Sequence, residues 1–340
     1  MNPQLSYMNQ PGLQQKFFQH IKSRLAADAS VADEVAGLLG ISADSAYRRI
    51  RGEKQVTFEE LVTLCTHYKV SLDQLLQIET GAFIFQGSLL NDKMFRYDAY
   101  LAGMKNWMAY FAGAKEKEYY YLCKDVPIFH HWQCREYAVF KYFFLMSILI
   151  YFPEFRNKKV NMEEYPEELW QSGQKILGYY NQLDSYEVWN LGSLNSVLQQ
   201  IEYYREAQMF HSDNDALKVY EALEKTLDHL EEQATLGYKF DINDPQKKRM
   251  GKFMLYTNEI IILDNTMLAV LDNTKMAVVP HSVINYMVTR DLAFCENLNQ
   301  YMQNLLRRST LLSETSEKER GRFFRILRER IERRKEKLNV

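Results

Sequence analysis

Apolar positions at helical spacing come in short bursts over the first eighty residues. Phe17, Ile21 and Leu25 recur at i, i+4 and i+8 and predict a helix from Leu13 to about Asp28. Ser30, Ser42, Thr57 and Ser71 each place a side-chain oxygen ahead of a new run, where it can accept bonds from the unpaired N–H groups of a helix start. Thr57-x-x-Glu60 and Ser71-x-x-Gln74 also have the reciprocal spacing of a capping box. The pattern predicts a compact bundle of five short helices ending near residue 79.

Farther along, Met94, Tyr97, Leu101, Met104 and Met108 keep helical spacing and predict an interdomain helix within 89–113. EYYYLC, 118–123, is aromatic and reads as a strand, and the proline in the following KDVPIF disfavours helix. Residues 133–152, 164–183 and 187–236 read as helices, the last broken near Ser212. Leu-Asp-Asn-Thr occurs at 263–266 and again at 271–274, with β-rich runs around both copies. Asp-Asn pairs tolerate tight turns, so 258–280 is expected to form a three-stranded antiparallel meander ended by Pro280. Helices are expected at 282–287, 291–312 and 316–338, the last opened by a Ser316-x-x-Glu319 box.

Composition supports a mainly α protein. Glycine (14) and proline (7) are scarce in 340 residues, which leaves few turn-makers. The expected organisation is a helix-turn-helix domain at 1–80, a linker and interdomain helix at 81–113, and a helical regulatory or dimerisation domain at 114–340 carrying the small meander. Four scattered cysteines with no CxxC argue for a reducing compartment. The N-terminus lacks the pattern of a secretory signal. The longest mainly apolar run, Phe143 to Phe152, falls well short of the ~20 residues a membrane span needs. These features predict a cytoplasmic protein with no membrane partner.

Net charge is −2, but it is uneven: residues 317–340 carry ten basic against five acidic groups. That helix aligns Phe323, Leu327 and Ile331 in one stripe and is expected to pack on the 291–312 helix with a solvated basic face, leaving a phosphate contact or dimer contact open. His130, His131 and Cys134 form an HHxxC cluster, yet on a helix only 131 and 134 share a face and no second ligand pair follows. Packed aromatics around Trp132 are the preferred reading, and neither a metal nor a cofactor is expected. The 23 tyrosines fit either amphipathic filling of a helical core or an aromatic-lined ligand pocket. No GxSxG, HExxH, GxxxxGK[ST] or GxGxxG is present, so no catalytic residue is assigned and an enzyme is not expected.

The strongest signal is SVADEVAGLLGISADSAYRRIRGEK, residues 30–54. Val35, Ala36 and Leu39 give one helix an apolar face, Gly40 suits a turn that needs positive φ, and Ala46 and Ile50 give the next helix its inner face. A short helix, a tight turn and a second helix with a free outer face are what entry into a DNA major groove requires. Ala43, Asp44, Tyr47, Arg48 and Arg51 lie on that outer face, with Lys54 beyond Gly52. Arginine can bridge guanine O6 and N7, whereas tyrosine and lysine more often hold phosphate.

The run VAGLLGISADSAYRRIRGE, followed by TFEELVTLCTHYKVSLDQLL, resembles the Cro/repressor-type (XRE-like) helix-turn-helix domain over residues 13–79. The resemblance implies base reading by Ala43, Asp44, Tyr47 and Arg48 and phosphate contact by Arg51 and Lys54. Arg49 departs from the family pattern, which usually has an apolar residue there, and is expected to serve as a structural ion-pair partner for an acid such as Glu60. The expected protein is a sequence-specific transcriptional regulator that binds double-stranded DNA as a homodimer, with a small-molecule or peptide effector open to its larger domain. The alternative is a protein-interaction adaptor in which the N-terminal bundle docks a protein partner.

Overall fold

The computed structural model describes residues 12–22, 25, 29–70, 72, 82–87, 95–150, 152–155, 158–261, 263–282 and 284–338. The chain divides into two compact units, Met1–Ile84 and Phe85–Val340. Among the described residues the first unit has four helices: α1 (Leu13–Lys22), α2 (Val31–Leu39), α3 (Ala43–Ile50) and α4 (Phe58–Tyr68). Ser30, Ser42 and Thr57 cap α2, α3 and α4 through their side chains, and the Thr57–Glu60 box is closed on both sides. The helices surround Phe17, Phe18, Ile21, Val35, Ala46 and Leu64. The Ser71-x-x-Gln74 box expected to open a fifth helix lies outside the described residues, as does the end of the first helix at residues 26–28.

The second unit overturns the expected mainly helical fold with a small antiparallel meander. It is mixed α/β, built on a seven-stranded sheet of order β6-β5-β4-β1-β2-β3-β7, whose strands are β1 (Lys117–Cys123), β2 (Asp184–Trp189), β3 (Phe253–Thr257), β4 (Met267–Leu271), β5 (Thr274–Pro280), β6 (Tyr286–Thr289) and β7 (Thr310–Leu311). β1, β2 and β3 run parallel, with Tyr121 opposite Glu187 and Glu187 opposite Leu255. Parallel neighbours need long crossovers, and helices supply them. Between β1 and β2 lie a 3-10 segment (Ile128–Gln133), α6 (Arg135–Phe144) and α7 (Glu167–Asn181), and α5 (Tyr97–Ala112) precedes β1. Between β2 and β3 lie α8 (Asn195–Glu206) and α9 (Asp213–Leu236), and after β6 come α10 (Leu292–Arg307) and α11 (Glu317–Lys335).

Three corrections have local causes. The stretch 187–193, expected in a helix, begins with the last half of β2, a short strand whose central residue is a glutamate. Among the described residues of 259–263 the predicted first meander strand is absent, because Asn258 Oδ1 accepts the N–H groups of Ile260 and Ile261 at 3.1 and 3.2 Å and so ends β3. The meander that exists is β4-β5-β6, 267–289, and it displaces the helix expected at 282–287. The second Leu-Asp-Asn-Thr copy makes the two-residue β4-β5 turn, with Asp272 at φ +47. The first copy instead leads into β4 and ties Asn265 to Asp125: the Asn265 amide donates to Asp125 Oδ2 at 3.0 Å and its Oδ1 accepts the Asp125 N–H at 3.1 Å.

One sheet face carries Tyr119, Tyr121, Cys123, Trp189 and Phe253 beneath the main group of helices, and the other carries Tyr120, Leu122, Val188 and Leu268 beneath α10. α5 packs along α7, and the Trp132 ring lies so close to α7 that a Cβ on Gly173 would stand 2.2 Å from it. The basic helix α11 packs on α9, not on the preceding helix as expected. Acids on α9 explain the choice: Arg328 pairs with Asp228 and Glu231, and Lys335 with Glu224. Ser316 makes no side-chain cap, so the expected box there is absent.

At the centre of β2 the Glu187 carboxylate is fully buried. His130 Nε2 lies 2.9 Å from Oε1 and 3.2 Å from Oε2, the Tyr180 hydroxyl donates to Oε1, and Trp189 Nε1 donates to Oε2 at 2.7 Å. Burial pushes this carboxyl up, but the attraction of His130 and the three donors outweigh it and hold it below the usual range. Buried Lys239 donates to the Tyr180 carbonyl at 2.7 Å, with its Nζ 3.8 Å from the Tyr180 ring centre, and burial pulls its ammonium down to about 7.

Replacing Glu187 by Ala strands these donors and is expected to destabilise the second unit by about 3–5 kcal/mol. All four tryptophans lie in this unit, so a lowered urea midpoint by tryptophan fluorescence reads the loss directly. Burial also keeps His229 neutral, pulling it down to about 4. The unfolded chain takes a proton on this side chain near pH 6.5 while the native state does not, so the contribution of His229 to stability is full above that pH and is lost as pH drops from about 6.5 toward 4. The same fluorescence titration at intermediate pH values checks this, and His229→Gln is expected to flatten the slope.

Candidate functional site

The exposed face of α3 is positioned first by the turn before it. Gly40, at φ +63, ends α2 with its N–H on the Ala36 carbonyl, a left-handed conformation that glycine adopts without a Cβ penalty. The Ile41 N–H bonds the same carbonyl at 3.0 Å, and Ile41 tucks its side chain against the apolar cluster below. Ser42 Oγ then accepts the Ser45 N–H at 3.3 Å and starts α3.

The inner side of α3 is held by two apolar side chains, Ala46 and the half-buried Ile50, and by one charge. Ala46 is fully buried, and Arg49 is only 4% exposed. Its guanidinium donates to Glu60 through Nη2 at 2.6 Å and Nε at 2.9 Å, and to Ser45 Oγ through Nη1 at 2.7 Å. Glu60 Oε2 also accepts the Thr57 N–H at 3.1 Å. One carboxylate therefore neutralises the buried cation of α3 and closes the cap of α4. The Arg49 hydrogen bond holds the Glu60 carboxyl below its usual range, against the opposing effect of burial. Arg49 has the structural ion-pair role with Glu60 that the sequence suggested.

Gln14 and Gln15 on α1 clamp the exit from α3, a function that sequence reasoning missed. Gln14 Nε2 donates to the carbonyls of Arg49 and Lys54, both at 2.7 Å, and its Oε1 accepts the Val56 N–H at 3.1 Å. Gln15 Nε2 donates to the Arg51 carbonyl at 2.7 Å. No periodicity or cap spacing marks these two residues, because their partners are backbone groups roughly forty positions away.

All six residues expected to face outward do so. Ala43, Asp44, Tyr47, Arg48, Arg51 and Lys54 are exposed, and the first five share one arc of α3 and its C-cap. The Arg51 guanidinium lies 6.0 Å from the Tyr47 ring centre and 3.6 Å from the Glu53 carboxylate. Gly52, at φ +80, turns the chain so that the N–H groups of Glu53 and Lys54 return to the Arg48 carbonyl at 2.8 and 3.2 Å. The result is an exposed ridge bearing guanidinium donors, one phenol and a lysine at its end.

The HHxxC residues do not converge. His130 turns to Glu187, His131 stacks edge-on to Tyr137 with ring centres 4.8 Å apart, and Cys134 accepts from Thr226 Oγ1 at 3.8 Å. Among the described residues no three His, Cys, Asp or Glu side chains are placed to hold a metal ion, and no helix is long and apolar enough to cross a membrane. Comparison of the chain with protein-family models, curated proteins and solved structures found no match.

Arg49→Ala is expected to lower the stability of the first unit by about 2–3 kcal/mol through loss of its charged hydrogen bonds. Thr57→Ala is expected to cost about 1 kcal/mol through loss of the cap alone. Native-state hydrogen exchange at α3 and α4 amides measures both without interference from the larger unit. Unchanged exchange in Arg49→Ala would show that the pair does not hold the ridge.

Proposed function

We propose that this chain is a sequence-specific DNA-binding regulator that reads the major groove with α3. The observation that carries the reading is the exposure of Ala43, Asp44, Tyr47, Arg48 and Arg51 along one arc of a helix whose other side is locked by Ala46 and the Arg49–Glu60 pair. The major groove, about 12 Å wide, admits one helix, and base edges there discriminate all four pairs. Arg48 is the residue to bridge guanine O6 and N7. Arg51 and Lys54, where α3 ends, are the phosphate contacts. Asp44 near the helix start suits a cytosine amino group, and its charge is favourable at that end of the helix dipole.

One ridge touches only a few bases, so specific recognition needs two copies with their reading helices about one DNA turn, ~34 Å, apart. We therefore propose that it acts as a homodimer on a two-fold symmetric site. The test is retention of purified protein on a randomised duplex library, with sequencing at two salt concentrations. A palindromic motif supports the reading. Failure to retain any duplex at low salt sinks it and favours a protein-docking role for the same ridge.

Two substitutions divide the contacts. Arg48→Ala is expected to weaken binding by about 1–3 kcal/mol and to relax preference at one base position, whereas Lys54→Ala weakens all sequences alike and lowers the salt slope by about one. Titrations against the selected site and single-base variants separate these outcomes. Identical profiles for both variants would reduce Arg48 to a phosphate contact.

A further inference from the structure

In the second unit the carboxyl end of β1 lies between the parallel strand β2 and the antiparallel strand β4. A cavity of about 90 Å³ lies there. Tyr97, Tyr100, Tyr121 and Tyr286 wall it, from α5, β1 and β6. Asp125 comes from the loop after β1, Asn265 from the segment before β4, and Lys141 from α6.

Lys141 is the chemically distinctive member. Its ammonium donates to Gln200 Oε1 at 2.9 Å and lies 5.4 Å from the Phe144 ring centre. Gln200 in turn donates to Ser196 Oγ at 3.0 Å, so the acceptor that orients the lysine is itself held. Among the described residues no carboxylate forms an ion pair with Lys141, and an ammonium has three donors. Asp125 acts on it only through space, and burial pulls it down to about 8. The Tyr100 hydroxyl is buried and has no hydrogen-bond partner among the described residues.

A half-buried cation with donors to spare, a phenol without a partner among the described residues and aromatic walls describe a site for a small anion with an apolar stem. The single positive group and the nearby Asp125 carboxylate disfavour a doubly charged anion such as phosphate. The volume sets the size: a cavity of ~150 Å³ accepts the six non-hydrogen atoms of benzene, so about 90 Å³ suits roughly three to five. We propose that this cavity binds a short-chain monocarboxylate, its carboxylate on Lys141 and Tyr100 and its alkyl part among the tyrosine rings. The site stands independently of the DNA-binding reading, and only a role as an effector site rests on it.

The test is calorimetric titration of the full-length chain, without DNA, with acetate, propionate and butyrate, and with propionamide as the neutral match. Propionate is expected to bind and propionamide not. Lys141→Met, which keeps the stem but removes the charge, is expected to weaken propionate binding about tenfold or more, the loss of one charged hydrogen bond. Tyr100→Phe is expected to bind more weakly than the native chain while leaving the fold, read by circular dichroism, unchanged. No binding of any carboxylate at millimolar concentration, equal binding of propionamide, or propionate binding unchanged in a folded Lys141→Met or Tyr100→Phe variant would each overturn the proposal. Because DNA is absent from the titration, its failure is distinct from failure of the library selection.

Discussion

A carboxylate buried in the middle of a parallel strand costs several kcal/mol in desolvation unless donors surround it, and the architecture of the second unit follows from how Glu187 meets that demand. Its donors come from separate elements: His130 from the 3-10 segment after β1, Tyr180 from the end of α7, and Trp189 from β2 itself. The β1-to-β2 crossover is thus tied at both ends to one charge at its destination. Phe129 stacks on Tyr180 with ring centres 4.2 Å apart, so the apolar packing has the same registration as the polar contacts. Lys239 joins from the far side through the Tyr180 carbonyl. A hydrophobic residue at 187 could stabilise a sheet of this size, but it would not dictate which side chains of the crossover lie above it.

The first unit uses the same device at smaller scale. Arg49 is a charge on the inner side of a helix, and Glu60 answers it while capping the next helix. Because Arg49 sits in α3 and Glu60 in the first turn of α4, their fork-to-fork geometry fixes the rotation of α3 about its own axis. Rotation is the degree of freedom that decides which side chains a surface helix presents. The Gln14 and Gln15 clamps fix its C-terminal end through backbone acceptors, and among the described residues the outer side chains keep the loose Arg51–Glu53 pair and the Arg51–Tyr47 ring contact.

These polar clips also explain what could be read from the chain in advance. In the first unit the information is local: cap oxygens lie three residues from the N–H groups they serve, the turn glycine sits next to its helix, and apolar spacing repeats every three or four positions. α2, α3, α4 and the outward side of α3 were therefore legible, and so was the Arg49–Glu60 pair, eleven positions apart. In the second unit the deciding contacts are long-range. A six-residue strand with glutamate at its centre has no alternation that separates it from a helix, and only the fold reveals that His130 and Tyr180 make Glu187 a core residue. Asn258 misleads in the opposite direction, since its side chain ends a β-prone run that propensity alone would extend. The tyrosines divide in the same way: composition signals an amphipathic interior but cannot say that four of them gather at the carboxyl end of β1.

Charge on the proposed reading face sets how it would have to work. Between residues 43 and 54 four basic side chains stand against two acidic ones, and Arg49 is withdrawn into the ion pair with Glu60. Arg51 also shares its charge with Glu53 at 3.6 Å. That leaves Arg48 and Lys54 as the cations without an ion-pair partner among the described residues of this segment. Each phosphate neutralised adds about one unit of salt dependence, so a single copy would gain little from counterion release and would hold arbitrary sequence weakly. Weak background binding is an advantage for a reader, because specificity is the ratio of specific to non-specific affinity. On the proposed reading, base contacts by Arg48, Asp44 and Tyr47 would be doubled by a second copy. The apparent deficit of positive charge is thus consistent with a symmetric reader that depends on geometry, and it argues against one that relies on electrostatic attraction along the duplex.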